Sequence, residues 1–563
     1  MIPKPLLRRT LADSLRVLWL VVLVAVVSCS LFGLAASLVV AGLFYATGPS
    51  PDSALISRFL AKAGAFAVIA AGALVLAYRR RDPRLPLEEL PLESRKSSIL
   101  LITLLVISAT IFPRLGAYPW AAPDEVHHLV VARNLATLGT YASGHPDYQL
   151  REFDTYDSVG PPVILPVALA FRVFGVAVAT ARSVMAMYFL LLCLAMIALL
   201  KPHLECDGIA LSALFMTASF GSVYLGRTLY GEVPALFFLV AGLLAWRRAL
   251  RLQARLGWGV VAGVAFGLAV LCKSILVLSA FAFLGALLYD LLTFRRIRLR
   301  HVFSPAAGLV LVFGVWWAVQ TLSQHNVADS AGGTLGIYKH NLMFGLRSAP
   351  TALAKCMHDP LSTILLILAM AAAVTNAFRR HYDPALTVLW FLAVFYTWWW
   401  VFFTPGVMPR YLWFSIAIAA VLVPWMFDGI IKAIKKTPSR PGILITAASV
   451  LAMAGMVMVS IAAGLNGARE SANAWTADEM RDEYALAEWL AAMPDDTAIA
   501  ATWPVSGTLN FLANKPARVL ESVPDPIPAN QVCIIDTMTR PDMLGKRQPD
   551  LQFGRYAVLK AKE

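Results

Sequence analysis

Two adjacent carboxylates open the run Pro123-Asp124-Glu125-Val126-His127-His128. A carboxylate in such a place can take a proton from a hydroxyl as a general base. It can equally cap a helix through backbone N–H groups, leaving Glu125 as a first-turn charge. Further along, Gly226-Arg227-Thr228-Leu229-Tyr230-Gly231-Glu232 sets an arginine and a glutamate at the borders of two apolar runs. Lys273 separates two more, and Arg410-Tyr411 follows Pro409 at the start of another. Ionisable groups beside long apolar segments are expensive to keep and point to function. The bland alternatives are a local Arg227–Glu232 pair and a snorkelling Lys273. Two acids with three cations suit transfer of a group from a phosphate. Asp124, with Glu125 as fallback, activates the nucleophile, while Arg227, Lys273 and Arg410 balance the charge growing on the phosphate. Glu232, His128 and Tyr411 are read as substrate contacts.

Other chemistries find less support. His127 and His128 point to different helix faces and lack a spaced third ligand, so no metal is expected. Cys29, Cys193, Cys206, Cys272, Cys356 and Cys533 form no CxxC and no Cys/His cluster, which argues against zinc and against a disulfide framework. There is no Walker GxxxxGK[ST] and no DxD motif for a nucleotide or nucleotide-sugar. No cofactor is expected.

The elements that must position these residues are membrane helices. Of 563 residues, 59% are hydrophobic and 15% charged, too little polar surface for a soluble globule or a disordered chain. About thirteen candidate spans run near 17–45, 58–78, 98–113, 180–200, 208–225, 233–247, 258–273, 275–294, 303–322, 360–378, 384–403, 411–431 and 442–465. Arg8-Arg9 before the first span faintly resembles a twin-arginine signal, but the run is too long for an h-region and is read as retained. With the N-terminus cytoplasmic, the inside connections hold about 25 lysines and arginines and the longer outside ones about 11. The net charge of +14 is then mostly a positive-inside signature, and nucleic acid is not a partner.

Three segments fall outside the membrane: loops 114–179 and 323–358, and a tail from 466. In the first loop, Leu129, Val130, Ala132, Leu135, Ala136 and Leu138 recur at helical spacing, so that helix is expected to lie along the membrane surface, with 160–175 returning beside it. The tail shows a helix pattern over 478–490 and β-like runs at 498–503, 518–520, 532–535 and 556–559, an α/β domain. Trp316-Trp317 and Trp398 to Trp400 are read as interfacial aromatic belts. The candidate acids and bases all fall on one, outer, side.

These residues carry a resemblance. Asp124-Glu125 after a core span, the "NLATLGTY" segment (134–141) and the Gly160-Pro161-Pro162 turn resemble the first outer loop of the GT-C glycosyltransferases. "GRTLYGEVPALFF" (226–238), Lys273 and "MPRYLWF" (408–414) continue the pattern. The resemblance covers most of 98–432 and is nearest to protein O-mannosyltransferases and the lipid A aminoarabinose transferase. It implies a GT-C core at 98–465 behind an added N-terminal two-span extension, 1–97, with the tail 466–563 extracytoplasmic. It also implies that Asp124 is the catalytic base and that the donor is a polyprenyl-phosphate-linked sugar whose phosphate is held by basic residues near span ends. Where those relatives carry Glu-Lys or Asp-His before the paired prolines, this chain has Val159-Gly160. The expectation is therefore an inverting glycosyltransferase of the bacterial inner membrane, embedded among membrane lipids and acting on a lipid, glycan or protein acceptor. The competing reading is a polytopic transporter or lipid flippase. It is disfavoured because transporters are commonly built from repeated halves with charge near the midplane, and no halves are evident here.

Overall fold

The structure, a computed structural model, describes residues 92–145, 149–153, 159–219, 221–251, 256–293, 297–323, 383–403, 409–436, 468–502, 505–545 and 547–561. The expected spans at 17–45, 58–78, 360–378 and 442–465, and nearly all of the loop 323–358, lie outside them. The chain forms two units, Met1–Ile102 and Thr103–Glu563. Of the first, only the start of α1 (Leu92–Ile111) is described.

The second unit continues as α2 (Pro123–Leu138), a hairpin of β1 (Ala142–His145) and β2 (Gln149–Glu152), α3 (Pro161–Phe174), α4 (Val178–Leu200), α5 (Cys206–Ala218), α6 (Ser222–Arg227), α7 (Glu232–Arg251) and α8 (Leu256–Cys272). A 3-10 turn, Ser274–Leu278, then leads into α9 (Ser279–Thr293), followed by α10 (Arg300–Ser323) and α11 (Pro384–Phe403); a second 3-10 turn, Pro409–Leu412, precedes α12 (Trp413–Lys436). Among the described residues, Val178–Leu200, Glu232–Leu250 and Arg300–Gln320 are long and apolar enough to cross a membrane. The other expected spans from 98–113 to 411–431, apart from 360–378, coincide with shorter apolar helices. On α10, Phe303, Val310, Leu311, Val315 and Val319 are exposed, as suits a lipid-facing helix. Trp399 and Trp400 are buried, and Trp316 packs under the hairpin against Tyr141 and Phe153 at 5.5 and 5.7 Å, so these tryptophans are packing groups rather than an interfacial belt.

The tail is α/β. It contains α13 (Arg481–Ala491), β3 (Ala498–Ala501), α14 (Val505–Leu512), β4 (Ala517–Val519), β5 (Gln531–Asp536), α15 (Pro541–Leu544), β6 (Leu551–Phe553) and β7 (Tyr556–Lys560). The sheet order is β4-β3-β5-β7-β6, with β3 parallel to β4 and β5, and β7 antiparallel to β5 and β6. Alternation along each strand buries both faces: Ile499, Ile534 and Val558 pack beneath α13 and α14, while Cys533, Ile535 and Leu559 line the other side.

Helix α2 departs from the expected surface helix. Glu125, Val126 and His128 to Asn134 are all buried, because α14 of the tail covers the face that would otherwise meet water. Asn134 donates to the carbonyls of Ala142 (2.9 Å) and Gly144 (3.0 Å), so this side chain ties the hairpin to the helix.

Candidate functional site

Asp124 does not cap α2. Pro123 takes the first helical position, where its missing N–H costs nothing, and Ala122 is the cap residue. Asp124 and Glu125 stay in the first turn, favoured by the positive end of the helix dipole. One residue of rotation, about 100°, sends them to different faces of the helix.

Asp124 is half exposed, and its Oδ2 accepts from Arg410 Nη2 at 2.7 Å. The Arg410 guanidinium lies over the rings of Tyr230 (4.8 Å) and Tyr411 (5.3 Å), which restrict where it can point. Glu232, at the start of α7, lies within electrostatic reach of Arg410 and pairs with Lys273 Nζ at 3.3 Å. The bland alternative, a local Arg227–Glu232 pair, is therefore not formed. Lys273 is buried, ion-paired and turned inward, not snorkelling. His128 is buried beneath this group, with Nδ1 2.7 Å from the Leu229 carbonyl oxygen. Burial, with the neighbouring His127 and Lys273, holds its imidazole well below the usual histidine range, so it is a neutral donor to that carbonyl.

Two glycines bring these strands of chain together. Gly160 N donates to Leu271 O at 2.8 Å, and a Cβ on Gly160 would stand 2.5 Å from that oxygen. Gly231, at φ +86°, lies so close to Cys272 that a Cβ would collide with its carbonyl oxygen. The backbone just before Lys273 is thus pressed against the residue preceding Glu232. Gly231→Ala is expected to lower the thermal midpoint and cut activity at least about tenfold, because strain and collision combine. Gly139→Ala, at φ +76° but with nothing within 4 Å of its Cβ, should show only the smaller backbone effect. Equal losses in the two variants would contradict a packing role for Gly231.

Glu125 and Arg227 belong to a second, buried group. Glu125 is 0% exposed and grips Arg182, also 0% exposed, through two bonds: Nε to Oε1 at 2.9 Å and Nη2 to Oε2 at 2.7 Å. Arg182 Nη1 adds a bond to Leu115 O at 3.0 Å. Arg227, also 0% exposed, donates to Pro113 O and lies 5.4 Å from the Tyr118 ring centroid. Its charged neighbours are Arg182, Arg114 and Glu125. The expected trio of cations is therefore divided: Lys273 and Arg410 converge near Asp124, and Arg227 is enclosed elsewhere. Sequence reading missed Arg182, which looked like an ordinary residue inside a span, and Tyr230, whose place between a Tyr224 stack and Arg410 has no local signature. At the opposite ends of the helices, Asp383 Oδ2 meets His203 (2.7 Å) and Arg247 (2.8 Å), a cluster that was likewise unforeseen. Among the described residues no group of three or more His, Cys, Asp or Glu converges as a metal site would require.

The solved structure of ArnT from Cupriavidus metallidurans bound to undecaprenyl phosphate is similar over 83% of this chain and 98% of its own, at 13% identity and a TM-score of 0.58. Its apo form matches over 83% and 97%, at 14% identity and a TM-score of 0.55. The chain has the GT-C fold. A third structure, the archaeal oligosaccharyltransferase AglB from Archaeoglobus fulgidus with an inhibitory peptide and a dolichol-phosphate, aligns over 79% of this chain and 70% of its own, at 13% identity and a TM-score of 0.48. Residues 159–318 match the family model described as dolichyl-phosphate-mannose-protein mannosyltransferase, a stretch that includes Glu232 and Lys273 but neither Asp124 nor Arg410. A search of curated protein sequences finds no significant match. Such a fold agrees with the three described helices long and apolar enough to cross a membrane and the shorter apolar helices beside them.

Proposed function

We propose that the protein is an inverting glycosyltransferase that moves a sugar from a polyprenyl-phosphate donor to an acceptor hydroxyl, at the extracytoplasmic face of a bacterial inner membrane, with the N-terminus cytoplasmic and the tail extracytoplasmic. The observation that carries this reading is the contact between Asp124 and Arg410, beside Lys273 and Glu232, in a chain of GT-C fold. A half-exposed carboxylate held next to cations is what a single displacement from a phosphate requires. Asp124 takes the acceptor's proton, the freed oxygen attacks the anomeric carbon from the face opposite the phosphate, and the sugar–phosphate C–O bond breaks with its electrons leaving on phosphate. Lys273 and Arg410 balance that charge. Arg410, able to reach both the base and a phosphate, brings the two reactants into register. The positive-inside bias of the sequence supports the orientation. The undecaprenyl phosphate bound by ArnT supports a lipid-phosphate carrier.

The test is transfer of labelled sugar from a polyprenyl-phosphate donor by the purified, reconstituted protein. Arg410→Ala and Lys273→Ala should each lower kcat/KM for the donor about 10- to 100-fold. Arg410→Lys should remain impaired, because a point charge cannot replace a planar fork stacked on Tyr230 and Tyr411. Fixed cations also predict that chelators leave the rate unchanged. Wild-type kinetics in all three variants would place the phosphate elsewhere.

A further inference from the structure

The tail grips the approach to the helix that carries Asp124 and, further along, the helix itself. Along the approach to α2, Tyr484 Oη donates to Gly116 O (2.9 Å) and Glu479 N donates to Ala117 O (2.9 Å). Trp120 N donates to Glu479 Oε2 (2.8 Å), and Ala121 N to Met480 Sδ (3.2 Å). Arg114 pairs with Asp478 at 3.3 Å, and the Arg555 guanidinium lies 4.4 Å from the centroid of the Trp120 indole. Further along α2, nine residues beyond Asp124, Arg133 Nη1 donates to Asn510 O (2.5 Å), in α14, and to Asn514 Oδ1 (3.1 Å), just past its end. Between these grips Gly507 of α14 faces Val126, leaving only 3.7 Å between a Cβ there and Val126 Cγ1.

The opposite side of α2 is fixed differently. Glu125 locks onto Arg182 of α4, and His128 binds the carbonyl of Leu229. The helix is therefore held between two bodies, and the start and tilt of its first turn depend on both. These tail contacts go to Arg133 and to the segment before α2, not to the Asp124 carboxylate, so the tail acts on the base only through the helix.

We propose that the tail domain is a positioning element of the transfer reaction, with Glu479 and Arg133 as the two side chains that set where the Asp124 carboxylate stands. This rests on the assignment of Asp124 as the base. A shift of about 1 Å in a reacting group can cost on the order of 100-fold in rate. Loosening one grip should cost less than deleting the base.

The experiment uses the full chain. Glu479→Ala removes the acceptor for Trp120 N, whereas Glu479→Gln keeps an acceptor oxygen. Arg133→Met keeps the apolar stem and loses both bonds to the tail. Expected for Glu479→Ala and Arg133→Met is a fall in kcat of about tenfold with donor KM within about twofold, since Lys273 and Arg410 are untouched. Glu479→Gln should recover most of the loss. Hydrogen–deuterium exchange of the amides at 126–131 should rise in Glu479→Ala and return in Glu479→Gln. Unchanged exchange and unchanged kcat, or a loss that Gln does not recover, would overturn the positioning role. The two failures separate: a wild-type protein that transfers no sugar overturns the proposed function, whereas unchanged exchange in α2 overturns positioning whatever the activity. Should the single variants fold poorly, Val126→Cys with Gly507→Cys decides the matter. Oxidised, this pair should turn over at the reduced rate, and a loss restored by reductant would mean that the tail must leave α2 during the reaction, contrary to the proposal.

Discussion

Replacing Asp124 with asparagine will lower turnover about 10²- to 10⁴-fold and leave the donor KM within about twofold, the range spanned by loss of a general base. The side chain keeps its size and an acceptor for Arg410, so the 2.7 Å contact can persist in weaker, uncharged form and the helix start need not move. What disappears is the capacity to take the acceptor's proton. The product's anomeric configuration should be opposite to the donor's, because a single carboxylate serves one displacement. A product with retained configuration, or an Asp124→Asn protein within about threefold of wild type, would remove Asp124 from this role.

Its neighbour should behave in the reverse way. Glu125→Ala or Arg182→Ala leaves a full charge buried without its partner, a change that costs about 3–5 kcal/mol. Both side chains are 0% exposed, so water cannot take over. The expected result is a lower thermal midpoint, by about 5 °C or more, with poor recovery from the membrane. Arg182→Lys should not rescue it, since two parallel bonds to one carboxylate need the guanidinium fork. Asp124→Asn should unfold with the wild type. Thermal unfolding of the purified variants in one detergent checks this, and a Glu125→Ala protein as stable as wild type would contradict the structural role. Two adjacent acids are thus expected to divide into one that reacts and one that anchors.

That division marks the limit of the sequence. Composition alone requires apolar helices to be the main element, because a chain 59% hydrophobic and 15% charged cannot cover itself in water. Local patterns were enough to locate α2 from its helical periodicity, and to find four of the tail's strands from short β-like runs. They also singled out Asp124, Lys273, Glu232 and Arg410, because charge beside long apolar runs is rare enough to stand out. Partners are another matter. Arg182 lies 57 residues from Glu125, Arg410 lies 286 from Asp124, and Glu479 lies 359 from Trp120. Periodicity reports on neighbours within a turn or a strand pair, and nothing in it records which helix ends meet. For the same reason, the amphipathic pattern of α2 could not distinguish a face open to water from one covered by α14. The close approach at Gly160 and Gly231, the enclosure of Arg227 and the pairing of Lys273 with Glu232 were all decided by packing. In a close-packed interior, each side chain's environment is set by atoms distant in the chain.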